Sequence, residues 1–135
     1  MLKKKFLIVE DEYINRQLLL SILSEYGDCD LAINGSDAVE MFEASFYAGS
    51  AYDLVCLDVL LPGMNGHNVL QHIREFEEKM NVKEHRKAKI VMITGIDDSA
   101  SVKISMKYKA NKYIKKPVRK NILLGIIKSL DLLGE

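Results

Sequence analysis

Five polar residues stand where short strand-like runs end, and their types fit one chemistry. Glu10 and Asp11 follow Phe6-Leu7-Ile8-Val9, and Asp58 follows Leu54-Val55-Cys56-Leu57. Thr94 follows Ile90-Val91-Met92-Ile93, and Lys116 follows Lys112-Tyr113-Ile114-Lys115. In an open parallel sheet ligands bind outside the carboxyl ends of the strands. Three carboxylates brought together there need a cation, because at about 5 Å and an effective dielectric of about 20 each pair repels by roughly 3 kcal/mol. Oxygen ligands that leave room for waters suit a hard ion such as Mg²⁺ (or Mn²⁺). Such an ion also neutralises phosphoryl oxygens during an in-line transfer. The Asp58 carboxylate would then be a nucleophile that forms an aspartyl phosphate. Lys116 is a mobile point charge able to pair with Asp58 before transfer and with phosphate after it. The Thr94 hydroxyl can donate to a phosphate oxygen, and Gly95 leaves space beside it.

The elements that must position these residues alternate along the chain. A strand over Lys5–Val9 leads to a helix with Ile14, Leu18 and Ile22 at spacing four, closed by Gly27 as a C-cap. A second strand, Asp30–Ile33, ends in Asn34-Gly35, and Ser36 caps the next helix, which carries Asp37 and Glu40 in its first turn and Phe42 and Phe46 on its apolar face. The third strand, Asp53–Leu57, is apolar on both faces after its first residue, the mark of a strand buried in a parallel sheet. A third helix, entered near Gly66, carries Val69, Leu70, Ile73 and Phe76, and the polar stretch Glu75–Lys89 reads as its end plus a solvated loop. A fourth strand, Ile90–Ile93, precedes a short helix over Val102–Met106 with Asp97, Asp98 and Ser99 as candidate caps. A fifth strand, Lys112–Lys115, precedes a last helix over Lys120–Leu133. Five strands alternating with five helices predict an α/β fold with a parallel sheet.

The 135 residues fit one domain, 1–135. Nineteen basic and nineteen acidic residues cancel, so no global field attracts nucleic acid or an anionic membrane. No apolar run reaches the ~18 residues of a spanning helix. The lysine-rich start lacks a secretory core, and the chain reads as cytoplasmic. Cys29 and Cys56 have no metal-ligand spacing and read as buried small hydrophobes. His72 and His85 read as solvated, while His67, just past the acceptor loop, is a candidate partner contact.

Four segments together resemble the response-regulator receiver domains of two-component signalling, the CheY-like superfamily. They are Leu-Ile-Val-Glu-Asp-Glu at the first strand and Asp-Leu-Val-Cys-Leu-Asp-Val-Leu-Leu-Pro-Gly-Met-Asn-Gly at the third, then Ile-Val-Met-Ile-Thr-Gly and Tyr-Ile-Lys-Lys-Pro. The resemblance covers essentially the whole chain and implies a doubly wound five-stranded parallel sheet of order 2-1-3-4-5. It implies Asp58 as phosphoacceptor, with Asp11 and Asp58 on Mg²⁺ directly, Glu10 through water, and the backbone carbonyl of Leu60 as a further ligand. Thr94 and Lys116 would bind the phosphoryl group, the Lys116-Pro117 peptide would be cis, and Tyr113 would be the switch aromatic. Leu60 and Ile96 occupy the two positions that affect phosphate lifetime in the family. Both are apolar here, which predicts slow self-dephosphorylation. The implied partners are a sensor histidine kinase or phosphotransfer protein and a downstream target or an output domain absent from this chain. The readout face would be the fourth helix, fifth strand and fifth helix, including Lys107, Lys112, Tyr113 and Lys115. That face could also carry a phosphorylation-dependent dimer. Neither direct nucleic-acid binding nor membrane contact is expected, and the chain would be a switch rather than an enzyme.

Two residues depart from the family pattern. Glu10 replaces the commoner Asp, which lengthens a water-mediated reach. Lys109 stands where a glycine is common, and a left-handed conformation there would cost roughly 1 kcal/mol, so a different turn is expected. Three other readings compete. A haloacid-dehalogenase-type phosphatase also uses an Asp nucleophile, but it follows the first strand and a second Asp comes two residues on, where this chain has Leu60. A flavodoxin would need a hydroxyl- and glycine-rich phosphate loop where Glu10-Asp11-Glu12-Tyr13 stands. A degenerate receiver that works only by binding would not need the intact acid cluster, Thr94 and Lys116.

Overall fold

Strands buried on both faces need a helical layer on each side, and the chain provides two. The computed structural model describes residues 3–95 and 99–133. Five strands, β1 (Lys4–Val9), β2 (Gly27–Ala32), β3 (Leu54–Asp58), β4 (Lys89–Thr94) and β5 (Lys112–Lys115), form one parallel sheet of order β2-β1-β3-β4-β5. Alternate residues supply two separate cores. Leu7, Val9, Val55, Leu57, Ile90 and Met92 point to one face and meet α2 (Gly35–Tyr47) and α3 (Gly66–Lys79) through Ala38, Phe42, Val69, Leu70, Ile73 and Phe76. Phe6, Ile8, Leu54, Cys56, Val91, Ile93 and Ile114 point to the other face, meeting α1 (Tyr13–Leu23) and α5 (Lys120–Ser129) through Leu19, Ile22, Leu23, Leu123 and Ile127. Each fully buried side chain of this kind contributes about 1.5–3 kcal/mol. The expected doubly wound sheet and its strand order are present.

Several local expectations are corrected. In α1, Ile14 is 75% exposed and Leu18 is 38% exposed, while Leu19, Ile22 and Leu23 are buried. The near-continuous run Leu18-Leu19-Leu20-Ser21-Ile22-Leu23 supports more than one stripe at helical spacing, and the sheet selects the second. Ser24 ends α1, and Gly27 opens β2 instead of capping the helix. A Cβ at Gly27 would lie 2.6 Å from the Lys4 carbonyl oxygen, so the glycine serves close strand pairing. Asn34, not Ser36, caps α2, accepting from the Asp37 N–H at 2.7 Å. β2 therefore ends before Ile33, which is exposed.

The stretch 75–89 is not wholly solvated. α3 runs to Lys79, and Glu77 is buried, accepting from Arg74 at 2.6 Å and from the Ala88 N–H at 2.8 Å. His72 likewise meets Glu43 of α2 at 2.6 Å, whereas His85 is exposed as expected. Lys109 does adopt the left-handed conformation, with φ 65°, so the turn is kept and not replaced. The fourth helix, α4, spans Ser99–Lys107, and α5 stops at Ser129, short of Leu133. Asp97 and Asp98, read as caps, and Ile96 lie outside the described residues. Both cysteines are free thiols, Cys56 buried and Cys29 half-buried. Among the described residues no helix is long and apolar enough to cross a membrane.

Candidate functional site at the carboxyl end of the sheet

β1 lies between β2 and β3, so the residue after β1 and the last residue of β3 are neighbours by register, with Val9 opposite Leu57. That register brings Glu10, Asp11 and Asp58 together. One carboxylate oxygen from each lies within 4.8 Å of the others. On the other side of β3, Asp58 pairs with Ile93 and Thr94 pairs with Lys115. The Lys116 N–H donates to the Thr94 carbonyl at 2.7 Å, which carries the lysine to the same end. The Lys116-Pro117 peptide is cis, as the resemblance implied. The ammonium of Lys116 donates to Oδ2 of Asp58 at 2.8 Å and lies 3.4 Å from Oε1 of Glu10.

Burial grades across the cluster. Glu10 is 1% exposed, the Asp58 side chain 4%, the Lys116 side chain 24%, and Asp11 is open to solvent. Asp58 is thus a buried carboxylate at the inner side of the cluster, bonded to Lys116 and within reach of the solvent-facing Asp11. Oδ1 of Asp58 accepts from the Leu60 N–H at 3.1 Å. Oε2 of Glu10 accepts from the Glu12 N–H at 3.2 Å, but Oε1 has no hydrogen-bond partner among the described residues. Burial first, and then the adjacent Asp58 carboxylate, push Glu10 from 4.5 up to about 7. For Lys116, burial would lower the ammonium. The hydrogen bond to Asp58 and the charges of Asp58 and Glu10 together outweigh it and hold the group above its ordinary value.

The remaining predicted residues sit around this cluster. Thr94 is buried at the end of β4 and Gly95 beside it is exposed. Leu60 is 58% exposed, so its side chain stands in solvent while its backbone follows Asp58. Tyr113 is half-buried and packs against the core shared by α2 and α3. His67, in the first turn of α3, contacts the hydroxyl of Ser101 in α4 at 3.2 Å.

Two supporting roles are absent from the sequence reading. Arg16 of α1 donates to the carbonyls of Glu10 and Asp11, each at 3.2 Å, and so pins the acidic loop. Its signal was available, since it is the single basic residue among residues 6–58. Gly66 opens α3 directly under the acceptor strand, where a Cβ would lie 2.2 Å from the Asp58 carbonyl oxygen. The sequence marked Gly66 as a helix entry but gave no sign of that contact.

Comparison with known proteins agrees with the fold. The chain matches the response regulator receiver domain over residues 6–128 and belongs to that family. It is 34% identical to the chemotaxis protein CheY of Halobacterium salinarum, over 92% of this chain and 93% of that protein. It is also 30% identical to the hybrid signal transduction histidine kinase B of Dictyostelium discoideum, over 93% of this chain but 6% of that protein. With hybrid kinase L of the same organism the share is 4%, so the chain spans a small part of these longer relatives. Among solved structures, the CheX–CheY–BeF3–Mg complex from Borrelia burgdorferi gives a TM-score of 0.82 at 26% identity, covering 96% of this chain and 90% of the matched one. The complex of the Saccharomyces cerevisiae histidine phosphotransfer protein Ypd1 with the receiver domain of Ssk1 gives 0.79 at 27% identity, covering 97% and 92%. The chain is thus a receiver domain of two-component signalling.

Proposed function

We propose that Asp58 accepts the phosphoryl group and that the whole chain acts as one receiver unit. The observation that carries this is the Asp58 carboxylate on the floor of a three-carboxylate cluster, with one oxygen held by Lys116 at 2.8 Å. The donor set fits a hard divalent cation. All three groups offer carboxylate oxygens, and the buried Oε1 of Glu10 lacks the hydrogen bond that a cation, directly or through water, would replace. Asp11, Asp58, the Leu60 carbonyl and, through water, Glu10 would hold Mg²⁺, which supplies neutralisation of phosphoryl oxygens.

The chain's own residues do the rest. Lys116 orients Asp58 before transfer and can follow the phosphoryl oxygens after it. Thr94 offers its hydroxyl, and Gly95 leaves the approach open. Arg16 and the Glu12 N–H keep the acidic loop in place. Tyr113 then reports the state of Thr94 at the readout face. The donor is a sensor histidine kinase or phosphotransfer protein, the latter being the partner of the yeast receiver domain in its complex. The phosphatase alternative has no support, since Leu60 stands where its second aspartate is needed.

Mass spectrometry after acetyl phosphate and Mg²⁺ tests the reading. The parent gains one phosphoryl mass and Asp58→Asn does not. Equal labelling of both sinks it. Leu60 provides no side chain to orient an attacking water, so the phosphorylated protein should outlast seconds in Mg²⁺. Decay within seconds refutes that part.

A further inference from the structure

At the amino end of β4, the end away from the acid cluster, a cavity of about 260 Å³ lies among α3, the segment 84–89 and the turn from α4 to β5. Four cations line it, Arg74, Lys87, Lys89 and Lys109, against one carboxylate, Glu84. Arg74 is its most firmly held wall. Its side chain is 12% exposed and donates to Glu77, to the carbonyls of Ala88 and Lys109, and to Asn111. A guanidinium has five N–H groups, and the second hydrogen on Nη2 has no acceptor among the described residues. Glu77 balances the charge of Arg74 at 2.6 Å, and Lys87 lies 3.6 Å from Glu78 and 3.3 Å from Glu84. Lys89 and Lys109 have no carboxylate partner among the described residues.

A solvated lysine needs no partner, and for Lys89 that account suffices. For Lys109 it does not. Lys109 stands at φ 65° in the turn after α4, where the Ala110 N–H bonds back to the Ser105 carbonyl. Glycine is the usual occupant of such a turn, because a Cβ is strained there. A lysine held in that conformation has a use for its ammonium that outweighs the strain. The cavity is smaller than the roughly 300–1,000 Å³ of pockets for organic ligands, so its occupant is compact. Two ammonium groups without carboxylates and a spare guanidinium N–H suit a tetrahedral dianion. A monocarboxylate brings one charge to two lysines.

We infer that this cavity binds a compact phosphate-type dianion, either inorganic phosphate or the head of a small phosphate monoester, between Lys89, Lys109 and Arg74. Such a site goes beyond phosphoryl transfer and works with Asp58 unmodified. A bound dianion ties the start of β4 to the turn that leads into β5, so it stabilises the fold at the end of the sheet that holds no acid cluster.

The test uses the full chain, ¹⁵N-labelled, in EDTA, titrated with inorganic phosphate and, separately, with glycerol phosphate. Sodium chloride at matched ionic strength is the control for screening. Amides of residues 87–89 and 109–111 should shift and saturate at about 1–10 mM anion. Saturation by either anion supports the site, and the tighter of the two names the source. Lys109→Gly should keep or raise the urea midpoint, since it relieves the turn, yet weaken phosphate binding about threefold or more. Glu84→Gln, at a side chain 91% exposed, should tighten it by removing the competing carboxylate. Asp58→Asn should bind as the parent does. Shifts centred on Glu10, Asp58 and Lys116, loss of binding in Asp58→Asn, or equal shifts in chloride alone overturn the inference. So does unchanged affinity in Lys109→Gly, or weaker binding in Glu84→Gln. None of these outcomes bears on whether Asp58 takes a phosphoryl group from acetyl phosphate, so the two readings fail separately.

Discussion

The two ends of the sheet each bury an ion pair, and they treat it in opposite ways. At the amino end of β4, Arg74 donates to Glu77, to the carbonyls of Ala88 and Lys109, and to Asn111, at 2.6–3.1 Å. Glu77 and Asn111 also accept from the Ala88 and Ile90 N–H groups, so the polar atoms of this network have partners. At the carboxyl end, two of three clustered carboxylates share one ammonium, and among the described residues a buried oxygen of Glu10 has no hydrogen bond. A satisfied buried network holds a structure together, whereas an unsatisfied one stores free energy that a ligand can release. The same sheet thus has a structural end and a responsive end.

The sharpest way to break this comparison is to remove Glu77. Glu77→Ala leaves the buried Arg74 guanidinium without its counter-charge and the Ala88 N–H without its acceptor, and it should cost about 3–5 kcal/mol in urea unfolding. A loss under about 1 kcal/mol would mean that the distal network is not a staple. Next in size is Gly66→Ala, whose methyl group would strike the Asp58 carbonyl. It should cost about 1–3 kcal/mol and lower phosphoryl uptake in the same protein.

The responsive end should show the opposite sign. Glu10 is raised from 4.5 to about 7 in the fold, so the native state holds a proton there that the unfolded chain releases. Its contribution to stability is full below about 4.5 and is lost as pH rises through about 7. The raised Lys116 adds nothing in this window, since its contribution disappears only above its own higher value. In EDTA the protein should therefore be roughly 1–3 kcal/mol more stable near pH 5 than near pH 8, before other groups are counted. Glu10→Gln should flatten that difference and raise stability near pH 8, and Mg²⁺ should stabilise the parent more near pH 8 than near pH 5. An unchanged slope in Glu10→Gln would remove this account of the pocket.

The smallest effect belongs to residues halfway along β2 and β3, between the two ends of the sheet. Burial pushes the Cys29 thiol up to about 11 and the Cys56 thiol up to about 12. Native protein near pH 8 should react with iodoacetamide far more slowly than the unfolded chain, with no change in stability when Cys29 is replaced by serine's smaller relative, alanine. Fast native alkylation of Cys56 would show that β3 opens locally.

How much of this was legible follows the same division. The responsive end advertises itself, because Glu10, Asp11, Asp58, Thr94 and Lys116 are polar residues terminating apolar runs, and strand order alone makes them converge. The staple was invisible, because Arg74 and Glu77 look like any charged helix end until the long turn back to Ala88 folds over them. The rotation of α1 was ambiguous for a simpler reason. Five apolar residues within positions 18–23 offer two stripes, and only packing against Phe6 and Ile8 decides between them. Asn34 and Ser36 were equally good caps by type, and the end of β2 at Ala32 selected the first.

Lys116 joins the two ends of this account. Its backbone is fastened to β4 by the bond from its N–H to Thr94, while only its flexible stem reaches over Asp58. Swinging the ammonium aside therefore uncovers the carboxylate without parting any strand. Entry to the pocket is then a rotamer event on roughly the nanosecond scale, faster than any rearrangement of a domain. The encounter with a phosphoryl donor, and not the opening of the door, should set the pace of labelling.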